Sequence, residues 1–329
     1  MALLLVRAWI SALYGRQEER ERFLALAEGS SYERSLRDGS APVESGVAII
    51  RAVFAFGGVQ SIAEAARRAA ALEPEQTSPR AAWVQLGLGH GLYLSGDTSA
   101  ARKPLEEALA LTKAGQPLLR IGVLFALSTV ALDEGRMEEA ESLARELRAL
   151  VDRFRLYRIP QASLAPIALG RVLAELGNLE EAQKELVNGL SARLMFPGLS
   201  PWPTLIGLLA LAPVRIARGD RAGGRAVLAE ARTMLERYPD AGIFPERLER
   251  QERKLRRIKR RDGSLDGELT ERELQVLYLL PGELSTPQMA QSLYVAPSTI
   301  RTQVKSIYRK LGVSSRDDAV EEAYARGLI

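Results

Sequence analysis

Apolar residues recur along this chain at helical spacing, and no stretch alternates apolar and polar residues as a half-buried strand would. Up to about residue 240 the pattern repeats: an apolar helix, a Gly followed by polar residues, then a second helix rich in Ala, Leu and Glu. The turns read YGRQEER at Gly15, FGGVQSIAEA at Gly58, SGDTSAA at Gly96, EGRMEEA at Gly135, LGNLEEA at Gly177 and RGDRAGG at Gly219, with spacings of 43, 38, 39, 42 and 42. Periods near forty with paired helices predict an α-solenoid, in which each pair buries its faces by stacking on its neighbours. Each Gly supplies the positive φ that closes the first helix of a pair. The residue five further on is small in five of the six units (Ala63, Ala101, Ala140, Ala182 and Gly224), which lets the second helix pack closely; the first unit has Arg20 there.

Other residues qualify that regularity. Pro104, Pro166 and Pro213 fall inside helical patterns and should kink or delay their helices. The run FPGLSPWP at 196–203 is expected to be non-helical, either as a longer connection or as the lip of an effector site. In the second case Trp202 is an aromatic platform for a sugar, a lipid-like ligand or a peptide. Trp83 and Tyr93 are expected in the core. After residue 242 the solenoid pattern ends, and 246–260 reads as a charged helix with Leu248, Leu255 and Ile258 on one side. This basic helix either adds phosphate contacts beside a DNA reader or is solvated by its own Glu and Arg pairs. A joint follows at 261–267.

The last part has a different grammar. Thr270 and Glu273 form a T-x-x-E capping box ahead of Leu274, Leu277 and Leu280, and Pro281-Gly282 stops that helix. Ser285 with Gln288 repeats the signal, Pro287 is tolerated in a first turn, and Met289, Ala290 and Leu293 face inward. After the turn Tyr294-Val295-Ala296, Pro297 opens a third helix with one apolar stripe, Ile300, Val304, Ile307 and Leu311. Its other face carries Arg301, Thr302, Lys305 and Arg309, residue types that donate to guanine or touch the thymine methyl when a helix enters the major groove.

These residues resemble the LuxR-type helix-turn-helix. The matching pieces are LTERELQVL, STPQMAQSL and TIRTQVKSIYRKLGVSSR. The resemblance implies that Arg301, Thr302 and Lys305 approach DNA bases, with Ser298, Thr299, Gln303, Arg309 and Lys310 completing the DNA-binding set. It further implies a fourth helix from 316 to about 326, used in dimer contacts. Two positions depart from the family. Ala296 stands where Ser or Thr commonly caps the recognition helix, a loss of about 1 kcal/mol. Gln303 replaces a common His, exchanging a titratable contact for a neutral amide. Repeats plus reader together resemble the C-terminal part of the large ATP-binding regulators of the MalT-like class. No G-x-x-x-x-G-K-[ST] phosphate loop is present, so the chain reads as a short form, a split product or a C-terminal piece of such a regulator.

Composition narrows the remaining choices. The 329 residues are 47% hydrophobic and 26% charged, rich in Leu and Ala and poor in aromatics, as in an all-α protein of more than one domain. The repeats are tetratricopeptide-like, and the expected divisions are 1–244 for the solenoid, 245–267 for a basic helical linker and 268–329 for a four-helix reader. The net charge of +4 is concentrated: 246–261 hold nine Lys or Arg against three Glu, whereas 268–329 hold seven basic and eight acidic residues, with the positive charge gathered on the third helix. With no Cys and one His, disulfides and the usual zinc sites are excluded, and a cytoplasmic location is expected. His90, within GLGHGL, reads as a packed side chain. The Glu pairs Glu138-Glu139 and Glu180-Glu181 complement helix dipoles and are not an acid-base pair. No catalytic residue, metal or cofactor is expected. The opening MALLLV lacks the basic start and cleavage site of a signal peptide and reads as a repeat helix; no span is expected to cross a membrane. The expected function is a DNA-binding transcriptional regulator, dimeric on double-stranded DNA, whose repeats receive a small-molecule or protein effector. The alternative is an interaction scaffold whose terminal domain does not bind DNA productively.

Overall fold

The structure, a computed structural model, describes residues 2–29, 43–55, 57–73, 78, 80–112, 115–196, 198–261, 269, 271–282 and 284–329, with the side chains of 2, 256–261 and 271 excepted. Thr270, the start of the expected capping box, and 262–267 of the expected joint lie outside them. Among the described residues the protein is all-α, and it divides into two compact units, Met1–Gln251 and Glu252–Ile329.

The first unit is a stack of six helical hairpins: α1 (Ala2–Leu13) with α2 (Gln17–Gly29), α3 (Val43–Phe54) with α4 (Val59–Leu72), α5 (Ala81–Leu94) with α6 (Thr98–Leu111), α7 (Pro117–Asp133) with α8 (Met137–Arg153), α9 (Leu164–Glu175) with α10 (Leu179–Leu194), and α11 (Pro201–Ala217) with α12 (Arg221–Leu235). Five of the six turns close as expected, with φ between 72° and 98° at Gly15, Gly96, Gly135, Gly177 and Gly219. In each, the following N–H reaches back to the carbonyl five residues earlier, for example Asn178 to Leu173 at 2.9 Å, so an otherwise unpaired carbonyl at the helix end is satisfied. Gly58 differs. It caps α4 with φ −63°, and the left-handed residue of that longer turn is Ala55, at φ 49°.

In four of the hairpins the small residue five after the turn glycine meets a second small residue seven before that glycine. A Cβ on Gly89 would lie 3.0 Å from the Ala101 carbonyl oxygen, and one on Gly170 3.0 Å from that of Ala182; Ser128 Oγ donates to the Ala140 carbonyl at 3.0 Å. These pairs let the two helices of a hairpin approach to backbone contact.

The stack also closes on itself. The α1–α2 turn meets the connection before α11, where Gln17 Nε2 donates to the Gly198 carbonyl at 3.3 Å, Gln161 Nε2 donates to that of Leu13 at 3.0 Å, and Ser200 Oγ donates to that of Ala55 at 3.1 Å. Pro201, Trp202 and Pro203 are not part of an irregular run: they form the first turn of α11, where a proline lacks only an N–H that has no helical partner anyway. Trp202 is fully buried, its ring 5.5 Å from Phe244 in a stacked arrangement and 5.5 Å from Tyr238. It is core and no platform. Tyr93 is buried as expected. α6 and α11 run on through Pro104 and Pro213, while Pro166 sits in the first turn of α9, which a 3-10 turn, Pro160–Ser163, precedes.

The solenoid packing continues past residue 242. The Val59 amide donates to the Asp240 carbonyl and that of Ile243 to Leu94, both at 3.1 Å, and Phe244 and Leu248 are buried. These residues open α13 (Phe244–Arg261), whose Arg247 donates to Tyr93 Oη at 2.8 Å and to Asp133 at 2.7 Å. Arg171 meets the same carboxylate at 2.9 Å. Burial alone would raise the Asp133 carboxyl, but the two guanidinium groups and the Tyr93 hydroxyl outweigh it and hold it below its ordinary value.

The second unit contains α14 (Glu271–Leu279), α15 (Thr286–Ser292), α16 (Pro297–Leu311) and α17 (Arg316–Ala325). They enclose a core of Val276, Leu277, Leu280, Met289, Ala290, Ile300, Ile307, Leu311, Ala319 and Ala323. Among the described residues no helix is long and apolar enough to cross a membrane.

Candidate nucleic-acid interface

α15, the turn and α16 build the interface from local signals. At the α15 start the Ser285 amide donates to Gln288 Oε1 at 2.9 Å, and the Ser285 hydroxyl to the same oxygen at 2.7 Å, so Gln288 reaches back as a capping box requires. The turn takes its left-handed residue from Tyr294, at φ 54°, and the Val295 amide closes onto the Ala290 carbonyl at 2.9 Å. Tyr294 is almost fully exposed. α16 begins on Ala296 with extended backbone and no side-chain cap, and ends on Gly312 at φ 76°. Its buried stripe is Ile300, Ile307 and Leu311, with Val304 partly covered.

Opposite that stripe Ser298, Thr299, Arg301, Thr302, Lys305 and Arg309 are exposed, and Gln303 is half-buried. Arg301 and Lys305 have no carboxylate partner among the described residues. The Thr302 hydroxyl donates to the Ser298 carbonyl at 3.0 Å, which fixes its rotamer and leaves the oxygen as an acceptor. The face therefore combines two cations with small hydroxyl groups over the first three turns of the helix, the part that reaches base edges in this motif.

Lys310, expected on the DNA face, points the other way. Its Nζ lies 2.6 Å from Glu273 Oε2, and both side chains are about nine-tenths buried, 12% and 8% exposed. The helix turns by about 100° per residue, so Lys310 follows Arg309 out of the exposed sector and ties α16 to α14. Glu273, read as half of a capping box with Thr270, supplies that tie.

Arg316 has a role that the residues alone did not suggest. Its guanidinium donates to the Leu280 carbonyl at 2.8 Å, to Leu284 at 3.1 Å and to Gly282 at 2.6 Å, with Leu279 at 3.5 Å. These carbonyls follow the end of α14 and lead into α15, where no helical N–H reaches them. Arg316 thereby holds the loop from which α15 starts, while Ser315 caps α17 by accepting the Asp318 amide at 3.1 Å. The available signal was an arginine immediately after a capping serine.

Comparison with known proteins places both units. Residues 46–264 match the family described as the MalT-like TPR region, and residues 267–323 match bacterial regulatory proteins of the luxR family. The NarL protein of Mycobacterium tuberculosis, named as a probable transcriptional regulatory protein, is 43% identical over 72 residues, 22% of this chain and 33% of that one. The HTH-type transcriptional regulator MalT of Yersinia enterocolitica is 49% identical over 55 residues, 17% of this chain and 6% of that one. The chain thus spans a third or less of the length of these relatives. A Rap protein solved in complex with competence and sporulation factor shares the fold, with a TM-score of 0.55 at 10% identity over 99% of this chain and 79% of that one. The chain belongs to the family of the MalT-like TPR region, joined to a terminal domain of the luxR family of bacterial regulatory proteins.

Proposed function

We propose that the protein is a DNA-binding transcriptional regulator, with α16 in the major groove and Arg301, Thr302 and Lys305 at base edges. Ser298, Thr299, Gln303 and Arg309 flank that contact, and Lys310 supports it from inside. The observation that carries the reading is the exposed Arg301, Thr302 and Lys305 face set opposite the buried Ile300, Ile307 and Leu311 stripe. Binding is dimeric, with α17 and its exposed Tyr324 at the contact between copies. The solenoid of 1–244 receives an effector or a protein partner, as the Rap protein of similar fold was solved with competence and sporulation factor, by analogy of fold. The protein acts in the cytoplasm, where DNA is accessible.

Selection of bound sequences from a random duplex pool by the full chain tests this. A two-fold-related site should be enriched, and Arg301→Ala should relax one base position per half-site at a cost of about 1–3 kcal/mol. Failure of the native chain to enrich any sequence would reject DNA reading and leave a scaffold.

A further inference from the structure

The closed stack of hairpins surrounds a cavity of about 100 Å³, walled by the first helix of each hairpin from α1 to α11, by the end of α10 and by the connection that follows it. Among the described residues the walls are hydrocarbon and aromatic except at His90, Gln161, Arg193 and Ser200, and no Asp or Glu lines them.

Arg193 sits in the last turn of α10 and is 6% exposed. Nε donates to Thr204 Oγ1 at 2.7 Å, Nη2 to the Ser200 carbonyl at 2.5 Å and Nη1 to Ser163 Oγ at 3.4 Å. All three acceptors are neutral. A guanidinium has five N–H donors, so donor capacity and the whole charge are left over. Burial lowers its pKa to about 10, which still leaves it charged at neutral pH. Other arginines of the same solenoid are treated differently: Arg171 and Arg247 share Asp133, and Arg102 meets Glu134 and Glu139. In the same lining, Gln161 Oε1 is buried with no partner among the described residues, while its Nε2 donates to the Leu13 carbonyl. His90, lowered to about 4 by burial, is a neutral ring with one donor and one acceptor.

An uncompensated buried cation in an apolar chamber calls for an anion. We propose that this cavity binds a small monoanion, a carboxylate carried on a short apolar body, with Arg193 as its counter-cation. A cavity of about 150 Å³ holds a benzene ring, roughly 25 Å³ for each non-hydrogen atom, so this volume suits about four or five such atoms. The neutral His90 ring can donate its N–H to the carboxylate, and the aromatic wall that includes Trp83 covers the body. This deepens the reading that the repeats receive an effector, and rests on it.

The test uses the full chain and sodium propanoate, with propan-1-ol as the neutral counterpart, followed by titration calorimetry and by indole fluorescence, to which Trp83 in the cavity wall contributes. Propanoate should bind saturably. Propan-1-ol on the native chain, and propanoate on Arg193→Met, should bind about tenfold to a hundredfold more weakly, as expected for loss of a charge-assisted contact. Ala126→Leu fills the chamber and leaves Arg193 in place; it too should abolish binding, and it carries the test if Arg193→Met fails to fold. Absence of saturable propanoate binding by the native chain would overturn the proposal, as would unchanged affinity in folded Arg193→Met or in Ala126→Leu. The same preparations are tested on the random duplex pool. DNA enrichment without propanoate binding removes this ligand alone, whereas propanoate binding without DNA enrichment removes the regulator.

Discussion

Replacing Arg316 by Ala isolates what positions the reader from what touches DNA. The native guanidinium spans carbonyls of Leu280, Gly282 and Leu284 at 2.6 to 3.1 Å, with Leu279 at the edge of bonding distance and contributing little. Hydrogen bonds from a charged donor are each worth about 1.5–3 kcal/mol, less where water competes, as it does at Gly282. Counting the two part-buried bonds at the low end gives a loss of about 3 kcal/mol. A helical unit running only from Glu252 to Ile329 has a total stability of about 4–10 kcal/mol, so the loss takes a large share of it. At about 4–8 °C per kcal/mol for a domain of this size, the transition of the second unit should fall by more than about 10 °C.

The assay follows from where the tryptophans lie. Trp9, Trp83 and Trp202 all belong to the first unit, so indole fluorescence reports that unit alone while far-ultraviolet circular dichroism reports both. Arg316→Ala should shift a dichroism component that has no fluorescence counterpart. Arg316→Lys should fall between, because one ammonium group cannot span the same carbonyls. DNA affinity of Arg316→Ala should decline with the salt slope unchanged, since no phosphate contact is removed. A shift confined to the fluorescence transition would refute the clamp, and a slope smaller by about one unit would make Arg316 a phosphate ligand instead.

Three further outcomes follow from particular contacts. Asp133 is held below its ordinary value, so its share of stability is present above about pH 4 and is lost as pH falls through the lower folded value; Asp133→Asn should flatten that acid limb in urea titrations read by fluorescence. Gly170→Ala would set a Cβ 2.7 Å from Leu186 Cγ and 3.0 Å from the Ala182 carbonyl oxygen, and should lower stability by about 1–3 kcal/mol in the same titration. Ala296→Ser supplies the missing cap of α16 and should raise the fluorescence-silent transition by about 1 kcal/mol; no change would mean that Pro297 already fixes the helix start.

What could be read from the residues was what short-range physics determines. The turn glycines mark five of the six hairpins because a positive φ recurs at the end of the first helix, and the α16 stripe is legible because its period is helical. The matching small residues at Gly89, Ser128, Gly170 and Ala212 were equally available once the repeats are aligned on their turns. Closure of the stack was not legible, because it depends on pairs such as Gln17 and Gly198, separated by 181 positions. Nor was the packing of Trp202 on Tyr238 and Phe244, which makes a core residue of one read, in one of two alternatives, as a platform. Lys310 shows the same limit inside the reader: a lysine next to Arg309 looks like part of a basic face until the bundle sets Glu273 against it.

Arg193 and Arg247 have the same side chain in the same solenoid and are resolved in opposite ways. Arg247 reaches a carboxylate shared with Arg171 and a tyrosine, so the solenoid supplies its anion internally. Arg193 is more deeply buried and receives only hydroxyl and carbonyl oxygens. Removing a charge from water without a counter-ion costs several kcal/mol, and an apolar residue of similar size would relieve that cost in a chamber already walled by hydrocarbon. The arrangement therefore sacrifices stability at one point facing a cavity, while Arg102, Arg171 and Arg247 of the same solenoid are each paired with a carboxylate. A ligand that brings its own negative charge recovers that loss on binding, so the deficit at Arg193 becomes affinity for an anion.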